Sequence, residues 1–274
     1  MIMDNVKISL AGDLGSGKST VGKILAPLFG AEIYSTGTIQ RNIALQMGMS
    51  TLELNRYMET HPEIDGMIDD GLRALEKEEK NLIIDSRMAW HFVPSSFSVY
   101  MAAAPRISAE RILAAGRESE HFSSVEEAET RIAERRQSEM LRYSQLYGVN
   151  IKDLENYNYV VDTSFITPQT AAEHIAAHYK KFAAGETFAR YELCPARLLP
   201  TGAEEGWPAF YEEDGRFYIA GGEREIAESI RGGAQLIACR RAAKPAGAGY
   251  APARAAAWEK QTGVHLFGAP GREN

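Results

Sequence analysis

The feature that most constrains this 274-residue chain is a glycine-rich segment near its start. Residues 12–19, Gly-Asp-Leu-Gly-Ser-Gly-Lys-Ser, match the pattern G-x-x-x-x-G-K-[ST] at every fixed position. Glycines let such a loop turn tightly and direct its backbone N–H groups toward phosphate oxygens. A short apolar strand, Val6–Ala11, precedes the segment, and a helix predicted over Lys18–Phe29 adds its positive N-terminal end to the same place. The segment therefore predicts a site for the phosphates of a nucleotide.

The motif also predicts what each part of the loop contacts. The phosphates are expected to lie on nine consecutive residues: Gly12, Asp13, Leu14, Gly15, Ser16, Gly17, Lys18, Ser19 and Thr20. Among them Lys18 is expected to reach the β- and γ-phosphates, and the Ser19 hydroxyl is expected to hold Mg²⁺.

Residues 6–182 alternate between strand and helix patterns. Short apolar runs at Leu82–Asp85, Ser98–Met101 and Tyr159–Asp162 predict buried strands, and Val125–Tyr147 predicts a long helix that Ser124 caps. This alternation predicts an α/β fold, a P-loop NTPase three-layer parallel sheet with a helical lid, followed by a small α+β domain.

Composition narrows the class of protein further. No apolar run approaches the roughly 18–20 residues of a membrane span, and Met1–Gly12 shows no secretory signal. The two cysteines, Cys194 and Cys239, then predict reduced thiols and a cytoplasmic location. The net charge of −7 comes entirely from residues 1–188, so nonspecific nucleic-acid binding by this acidic part is not expected. Contact through the neutral C-terminal part stays open, as does the oligomeric state.

Changes in composition predict three regions. Residues 1–186 form the phosphate-loop domain, and the Gly-, Pro- and Ala-containing stretch after it marks a boundary near 186–190. Residues 190–245 form a small α+β domain with strands predicted at 216–220 and 235–239 around a helix over Glu223–Arg231. Residues 246–274, rich in Ala, Gly and Pro at their start, are predicted to be loosely structured.

Arginine replaces lysine throughout the middle of the chain. Between Lys80 and Lys152 there is no lysine, but there are eight arginines: Arg87, Arg106, Arg111, Arg117, Arg131, Arg135, Arg136 and Arg142. The planar guanidinium holds phosphate oxygens bidentately, and a mobile arginine-rich segment over a phosphate loop suits phosphoryl transfer. Arg131, Arg135 and Arg142 fall on one helical face, with Arg136 about 100° around the helix. The alternative is a solvated face on which these arginines pair with the neighbouring glutamates.

Further polar residues follow two of the predicted strands. Asp85-Ser86-Arg87 comes directly after a buried strand, at the edge where parallel sheets bind ligands. Arg87 is a candidate for holding an acceptor phosphate, and Asp85 for approaching Mg²⁺ through water or binding a base or sugar. Arg41, after the turn Ser35–Gly37, is expected to face the same cleft. Simple capping and structural roles remain alternatives for Asp85 and Arg41.

Taken together, these residues resemble the cytidylate kinase family of nucleoside monophosphate kinases, and its short archaeal-type branch in particular. The matching segments run in order along the first two thirds of the chain: 12–20, 35–37 with Arg41, 48–50, 61–65, 84–87, Arg111, 136–143, 147–150 and 161–164.

The resemblance implies a five-stranded parallel core and an ATP- and Mg²⁺-dependent transfer of the γ-phosphoryl group to CMP or dCMP. It implies that Arg41, Asp85 and Arg87 contact the acceptor nucleotide. Lys18, Arg136 and Arg142 would be the catalytic residues, with the two arginines clamping phosphates from the lid. The expected partners are small nucleotides, and no membrane is expected.

The C-terminal part resembles a ParB-like domain, in which a strand, a Gly-Glu-Arg-Arg segment, a helix and a second strand follow one another. Here Gly222, Glu223 and Arg224 match, and Glu225 replaces the second arginine. An acidic side chain at that position disfavours phosphate binding. A small domain appended for packing or for contact with a partner is therefore the alternative.

Two other functions remain open at the sequence level. A related small P-loop kinase with a different acceptor fits the same loop, and an alcohol acceptor would require a general base, for which Asp85 is the candidate. A nucleotide-sensing regulatory module, with the ParB-like part binding a partner, also fits.

Overall fold

The computed structural model describes residues 5–115, 122–203 and 206–271. The chain divides into two compact units. The first comprises Met1–Tyr159 and Thr167–Glu186, and the second comprises Val160–Ile166 and Thr187–Asn274. Arg117, one of the arginines singled out above, lies outside the described residues.

The first unit alternates strands with helices, as its sequence pattern predicts. Its strands are β1 (Lys7–Gly12), β2 (Glu32–Ser35), β3 (Leu82–Asp85) and β4 (Phe97–Ala102). Its helices are α1 (Lys18–Phe29), α2 (Thr36–Gln46), α3 (Thr51–Met58), α4 (Pro62–Glu76), α5 (Ala89–Phe92), α6 (Pro105–Ala114), α7 (Val125–Tyr147) and α8 (Pro168–Ala183).

The four strands pair in parallel in the order β2-β3-β1-β4. Their carboxyl ends therefore lie at one edge of the sheet, where Ser35 at the end of β2 is the register partner of Asp85 at the end of β3. All four residues of β3 are buried, as expected for a central parallel strand covered on both faces.

Helices cover both faces of this sheet. On one face, α1 lies so close to β3 that a Cβ added at Gly22 would be 3.5 Å from the side chain of Ile83. Leu82 and Ile84, which point to the opposite face, pack in a buried cluster with Leu72 of α4 and with residues of α5 and α7. This arrangement confirms the predicted three-layer, parallel α/β fold.

The two helices predicted as a lid pack on each other. Their shared apolar cluster is formed by Ala109, Ile112, Ala128 and Ile132. Helix α7 has the predicted bounds, and the Ser124 side chain caps it by accepting a hydrogen bond from the backbone N–H of Glu127. Helix α6 begins at Pro105, because proline is well suited to the first turn of a helix.

The second unit is a mixed sheet with two helices. Its elements are β5 (Tyr159–Asp162), β6 (Tyr191–Leu193), β7 (Leu198–Leu199), β8 (Ala209–Glu213), β9 (Arg216–Gly221), α9 (Glu223–Arg231), β10 (Ile237–Arg241) and α10 (Pro252–Thr262). The strands follow the order β5-β6-β10-β8-β9-β7, with antiparallel pairs β6/β10 and β8/β9 and parallel pairs between the others. The strands β6–β8 lie in a stretch that shows little periodicity because each is only two to five residues long.

The tail after residue 246 corrects the sequence prediction of a loose segment. Helix α10 occupies Pro252–Thr262, and Ala255, Trp258 and Thr262 form its buried face. The alanine-rich composition masked this face, since only one large apolar side chain marks it. Within the described part of the chain, no helix is both long and apolar enough to cross a membrane.

Candidate active site

The glycine-rich loop connects β1 to α1 and is pressed against neighbouring backbone. Gly12 and Gly15 have positive φ angles of 137° and 74°. A Cβ at Gly12 would lie 2.2 Å from the carbonyl oxygen of Met101, and one at Gly15 would lie 2.5 Å from that of Ser108. Only glycine fits at both positions, because any side chain would collide with the neighbouring backbone. The loop therefore packs closely against this backbone and leads into the N-terminus of α1, where anions are favoured.

The ammonium group of Lys18 folds back onto this loop. Its Nζ donates hydrogen bonds to the carbonyl oxygens of Gly12 (3.1 Å) and Asp13 (2.7 Å) and to Ser16 Oγ (3.3 Å). Burial lowers the pKa of Lys18 to about 8, although the nearby Asp85 carboxylate acts in the opposite direction. The ammonium form therefore prevails at pH 7, and the loop carries a half-buried positive charge.

Ser19 and Asp85 meet at the carboxyl edge of the sheet. Ser19 Oγ donates a hydrogen bond to Asp85 Oδ2 at 2.8 Å, and Ser35 Oγ lies 3.5 Å from the same oxygen. Within the described ranges, no group of three or more His, Cys, Asp or Glu side chains is arranged to hold a metal. One carboxylate and one hydroxyl nevertheless fit Mg²⁺, which is usually held by one or two protein oxygens together with substrate phosphates and water.

The turn that carries Arg41 belongs to a helix. Ser35 is the N-cap of α2, and its side chain accepts a hydrogen bond from the backbone N–H of Thr38. Helix α2 thus begins at Thr36, and Arg41 donates a hydrogen bond to Thr38 Oγ1 at 3.0 Å. The cap directs the first turn of α2 toward the loop.

These groups line one cavity of about 90 Å³. Its charged side chains are one lysine, one aspartate and three arginines: Lys18, Asp85, Arg41, Arg87 and Arg135. Of the predicted substrate-binding residues, Arg41, Asp85 and Arg87 are all brought together here with the loop. The excess of positive charge suits more than one phosphate group.

Glu139 holds two of these arginines in place. Its Oε2 lies 2.7 Å from Nε of Arg87, and its Oε1 lies 3.1 Å from Nε of Arg135. Burial alone raises the pKa of Glu139, but the surrounding arginines outweigh it and leave the pKa below its ordinary value. The carboxylate is therefore charged, and it fixes both Arg87, which follows β3, and Arg135, which lies on α7.

Arg136 and Arg142, expected to clamp phosphates, do not line this cavity. Arg142 is buried, and its Nε lies 2.9 Å from Asp65 Oδ2, while its Nη1 donates to the carbonyl oxygen of Asn55 at 3.1 Å. Arg136 Nη2 lies 2.9 Å from Asp13 Oδ1. Both arginines are in ion pairs, and Arg135 is the arginine of α7 that lines the cavity. Contact of Arg136 and Arg142 with phosphates stays a prediction.

The reason is the geometry of α7. Arg135 and Arg142 share a face but stand seven residues apart, which is about 10 Å along a helix axis. Of these two arginines, only Arg135 lines the cavity at the loop. The sequence signal for its position was Glu139, which lies four residues later on the same face of α7.

Buried carboxylates near Arg142 were also missed. Burial raises the pKa of Asp65 to about 6 despite its pairing with Arg142, and Asp69 and Glu139 add to the rise. Tyr147 donates a hydrogen bond to Asp69, one helical turn further along α4. The available sequence signal was the spacing of Asp65 and Asp69, which lie four residues apart on an otherwise apolar face of α4.

A larger cavity of about 530 Å³ lies between α2–α3 and α6–α7. It shares Leu14 and Arg135 with the smaller cavity. Its lining combines apolar side chains, such as Met49 and Ile132, with charged ones, such as Arg56. This combination accommodates an organic group beside a phosphate site.

Known proteins share this framework. A family model described as an AAA domain matches residues 8–133. The cytidylate kinase of Thermoplasma volcanium is 37% identical over 171 residues, which are 61% of this chain and 87% of that enzyme. The cytidylate kinase of Pyrococcus horikoshii is 37% identical over 171 residues, or 62% of this chain and 85% of that enzyme. The chain belongs to the cytidylate kinase family.

Membership of the cytidylate kinase family makes the chain a P-loop nucleoside monophosphate kinase, a transferase that uses a nucleotide. The matches lie in its N-terminal 60% or so. Among solved structures, shikimate kinase from Bacteroides thetaiotaomicron aligns with a TM-score of 0.46 at 15% identity, covering 64% of this chain and 98% of that one.

The C-terminal unit of this cytidylate kinase family member uses its Gly-Glu-Arg segment for internal contacts. Glu223 Oε1 accepts hydrogen bonds from the backbone N–H groups of Thr201 and Gly202, both at 2.6 Å. Arg224 lies on the exposed face of α9 and pairs with Glu225 at 3.2 Å. The resemblance to a ParB-like domain stays a prediction.

Proposed function

We propose that this protein transfers the γ-phosphoryl group of ATP to CMP or dCMP, giving CDP or dCDP. The observation that carries the proposal is the cavity in which Lys18 and three arginines surround the Ser19–Asp85 pair. Relatives named cytidylate kinase, 37% identical over most of their own length, support the choice of acceptor.

On the donor side, we propose that the loop residues 12–20 bind the phosphates of ATP. Lys18 would exchange its contacts with the loop carbonyls for phosphate oxygens, and Ser19 and Asp85 would hold Mg²⁺. Bound there, the ion would neutralise charge on the donor phosphates. This assigns Asp85 to the metal, since its Oδ2 lies 2.8 Å from Ser19 Oγ.

On the acceptor side, Arg41 and Arg87 would hold the phosphate of the nucleoside monophosphate, with Arg135 between the two substrates. The attacking phosphate oxygen is already anionic near pH 7, so the reaction needs alignment and charge neutralisation more than a general base. The larger cavity, which shares Arg135 with the smaller one, offers room for a nucleoside.

Arg136 and Arg142 receive a different role in this proposal. Arg142 holds α7 to α3 and α4 through Asn55 and Asp65. Arg136 acts on the loop through Asp13. In this proposal, both arginines stabilise residues around the cavity without contacting the phosphates themselves.

The test is phosphoryl transfer from ATP–Mg²⁺ by the full chain to CMP, dCMP, UMP, AMP and GMP at equal concentrations. The expected result is a kcat/KM for CMP or dCMP at least about tenfold above the others, the discrimination that one well-placed set of polar contacts provides. Preference for a purine monophosphate would overturn the acceptor assignment and leave the kinase assignment standing.

An alcohol acceptor is the second candidate, because Asp85 is the carboxylate among the described residues that line the smaller cavity. As a general base it would have to leave its hydrogen bond with Ser19. Transfer to a polyol or a hydroxy acid, with none to any nucleotide of the panel, would establish this alternative.

A further inference from the structure

Asp13 places a carboxylate inside the phosphate loop. Phosphates and carboxylates repel each other, so an acidic side chain in such a loop requires compensation. Asp13 is 5% exposed and points away from the cavity that contains Lys18, toward the residues that follow β4.

Four groups surround this carboxylate. Oδ1 accepts hydrogen bonds from Tyr100 Oη at 2.8 Å and from Lys152 Nζ at 3.0 Å, and it lies 2.9 Å from Nη2 of Arg136. Oδ2 accepts a hydrogen bond from the backbone N–H of Ala103 at 2.9 Å. We name Asp13, Tyr100, Arg136 and Lys152 the Asp13 cluster.

The charges of the Asp13 cluster do not cancel. Burial alone raises the pKa of Asp13, but Lys152, Arg136 and the Ala103 N–H outweigh it and hold the pKa well below its ordinary value. The carboxylate is therefore ionised, and two cations face it. A net positive charge results directly behind the loop.

The backbone of Asp13 connects the cluster to the catalytic lysine. Its N–H donates to the carbonyl oxygen of Met101 at 3.0 Å, and its own carbonyl oxygen accepts the 2.7 Å hydrogen bond from Lys18. Gly12 and Gly15, on either side of this stretch, have no side chains with which to anchor it. The side-chain contacts of Asp13 thus fix the peptide on which Lys18 rests.

We propose that Lys152, with Arg136, is a positioning residue for ATP: it holds the Asp13 carboxylate in place and so keeps the phosphate loop in its binding conformation. Lys152 lies in the turn between α7 and the 3₁₀ helix Leu154–Asn156, outside every segment expected to contact phosphates. The inference rests on the proposed use of ATP and adds to it a cation that acts through another residue.

The experiment measures the Kd of ATP–Mg²⁺ by calorimetry on the full chain, with KM for ATP and for the acceptor from steady-state kinetics. Lys152→Met is expected to raise the Kd and the KM for ATP about tenfold, the effect of losing one hydrogen bond to a charged group. The KM for the acceptor is expected to stay within about twofold. Lys152→Arg keeps the charge and is expected to restore most of the affinity.

The matched control is Lys80→Met, which removes a lysine that pairs with Glu32 and Glu78 at the surface. It is expected to leave the Kd of ATP unchanged. If Lys152→Met lowers the melting temperature but leaves the Kd of the folded protein unchanged, Lys152 has a structural role only and the inference is overturned.

A second comparison separates positioning from direct contact and does not depend on the stability of Lys152→Met. In an Asp13→Asn background, Lys152 has no carboxylate to neutralise. Adding Lys152→Met there is expected to change the Kd of ATP less than about threefold. A tenfold loss in that background would mean that Lys152 contacts ATP directly, and would overturn the inference.

The failure of this inference differs from that of the proposed function. If the wild-type chain does not bind ATP–Mg²⁺ at all, the proposed function fails. If the wild-type chain binds ATP and Lys152→Met binds it equally well, only the inference fails.

Discussion

Single carboxylates organise the cations of this site. Glu139 holds Arg87 and Arg135, Asp13 holds Arg136 and Lys152, and the charged groups of both clusters are largely buried. Positive charge arranged in this way costs little reorganisation when phosphates bind, because the cations already have fixed positions. At the scale of the residue, preorganisation rather than proton transfer is the expected source of rate.

Lys18→Ala should lower kcat by about a thousandfold, the range found when one donor to a developing charge is removed. Its folding should be intact, since the hydrogen bonds of the Lys18 ammonium to described residues all stay within the loop, at Gly12, Asp13 and Ser16. The measurement is kcat with CMP, together with the melting temperature. Lys23→Ala, an exposed lysine on the same helix, serves as the control. Near-normal turnover of Lys18→Ala would contradict the kinase assignment.

The pH dependence of ATP use should report the same lysine. Burial lowers the pKa of Lys18 to about 8, so the ammonium loses its proton as the pH rises through that value. We expect kcat/KM for ATP to fall about tenfold per pH unit well above pH 8. Bound phosphate raises the pKa again, so the fall should be weaker in kcat.

A Lys18→Arg variant provides the comparison for this pH profile. A guanidinium stays protonated throughout the range. The variant should be less active but show no decline between pH 8 and 9.5, and a decline equal to that of the wild type would assign the titration to another group.

Helix α7 is the element that connects the two halves of the site. Its inward face carries Arg135, Glu139 and Arg142, and all three are buried. Arg135 pairs with Glu139 on the same helix, whereas Arg142 pairs with Asp65 of α4. The helix therefore couples the cavity at the loop to the packing of α3 and α4. Substitutions in the middle of α7 and near its C-terminal end should have different consequences.

In the middle of α7, Arg135→Ala should reduce kcat about a hundredfold, because it removes a guanidinium from the cavity that contains Lys18. Arg106→Ala on α6, whose arginine pairs with Glu110 and Glu126 at the surface, should leave kcat unchanged. Steady-state kinetics of both variants decide the matter. Equal activities would place Arg135 outside the reaction.

At the C-terminal end, Arg142→Ala should lower the free energy of unfolding by about 3 kcal/mol or more, because it leaves Asp65 buried without its ion-pair partner. Arg56→Ala removes an exposed pair with Glu134 between the same two helices and should cost less than about 1 kcal/mol. Urea unfolding at pH 7 measures both. Similar losses for the two variants would contradict the structural role of Arg142.

At the scale of the whole molecule, the chain contains a further part beyond the segment that matches the cytidylate kinases. The second compact unit includes Val160–Ile166, so it begins within the segment that the family resemblance covers. In this unit β5 pairs with β6, and Arg197 Nη1 donates to the fully buried Asp162 Oδ2 at 3.1 Å.

A chain that ends at residue 186 lacks strand β6 and Arg197, which both contact β5 in this unit. It should melt about 10 °C below the full chain, since the loss of a buried ion-pair partner alone costs roughly 3–5 kcal/mol. Thermal unfolding of the two chains measures the difference, and Arg197→Ala in the full chain isolates the contribution of the ion pair. Equal melting temperatures would show that residues 1–186 are stable without the remainder.

Local patterns were sufficient for much of this protein. The loop at residues 12–20, the parallel sheet and the bounds of α7 follow from short-range signals, namely glycine spacing, apolar runs and a serine cap. Such signals act within one or two turns of chain, so they determine elements and their type. They also led to Arg41, Asp85 and Arg87, because the carboxyl ends of parallel strands meet at one edge.

Only the tertiary structure decided which charge meets which. Arg136 and Arg142 lie on the same helix and look alike in sequence, but their partners, Asp13 in the phosphate loop and Asp65 on α4, come from distant parts of the chain. Lys152 reaches Asp13 across 139 positions of sequence. Ion pairing over such separations depends on how helices pack on the sheet, which no local pattern contains. The sequence by itself therefore determined the chemistry available to this protein, and the packing of its helices determined where each charge is used.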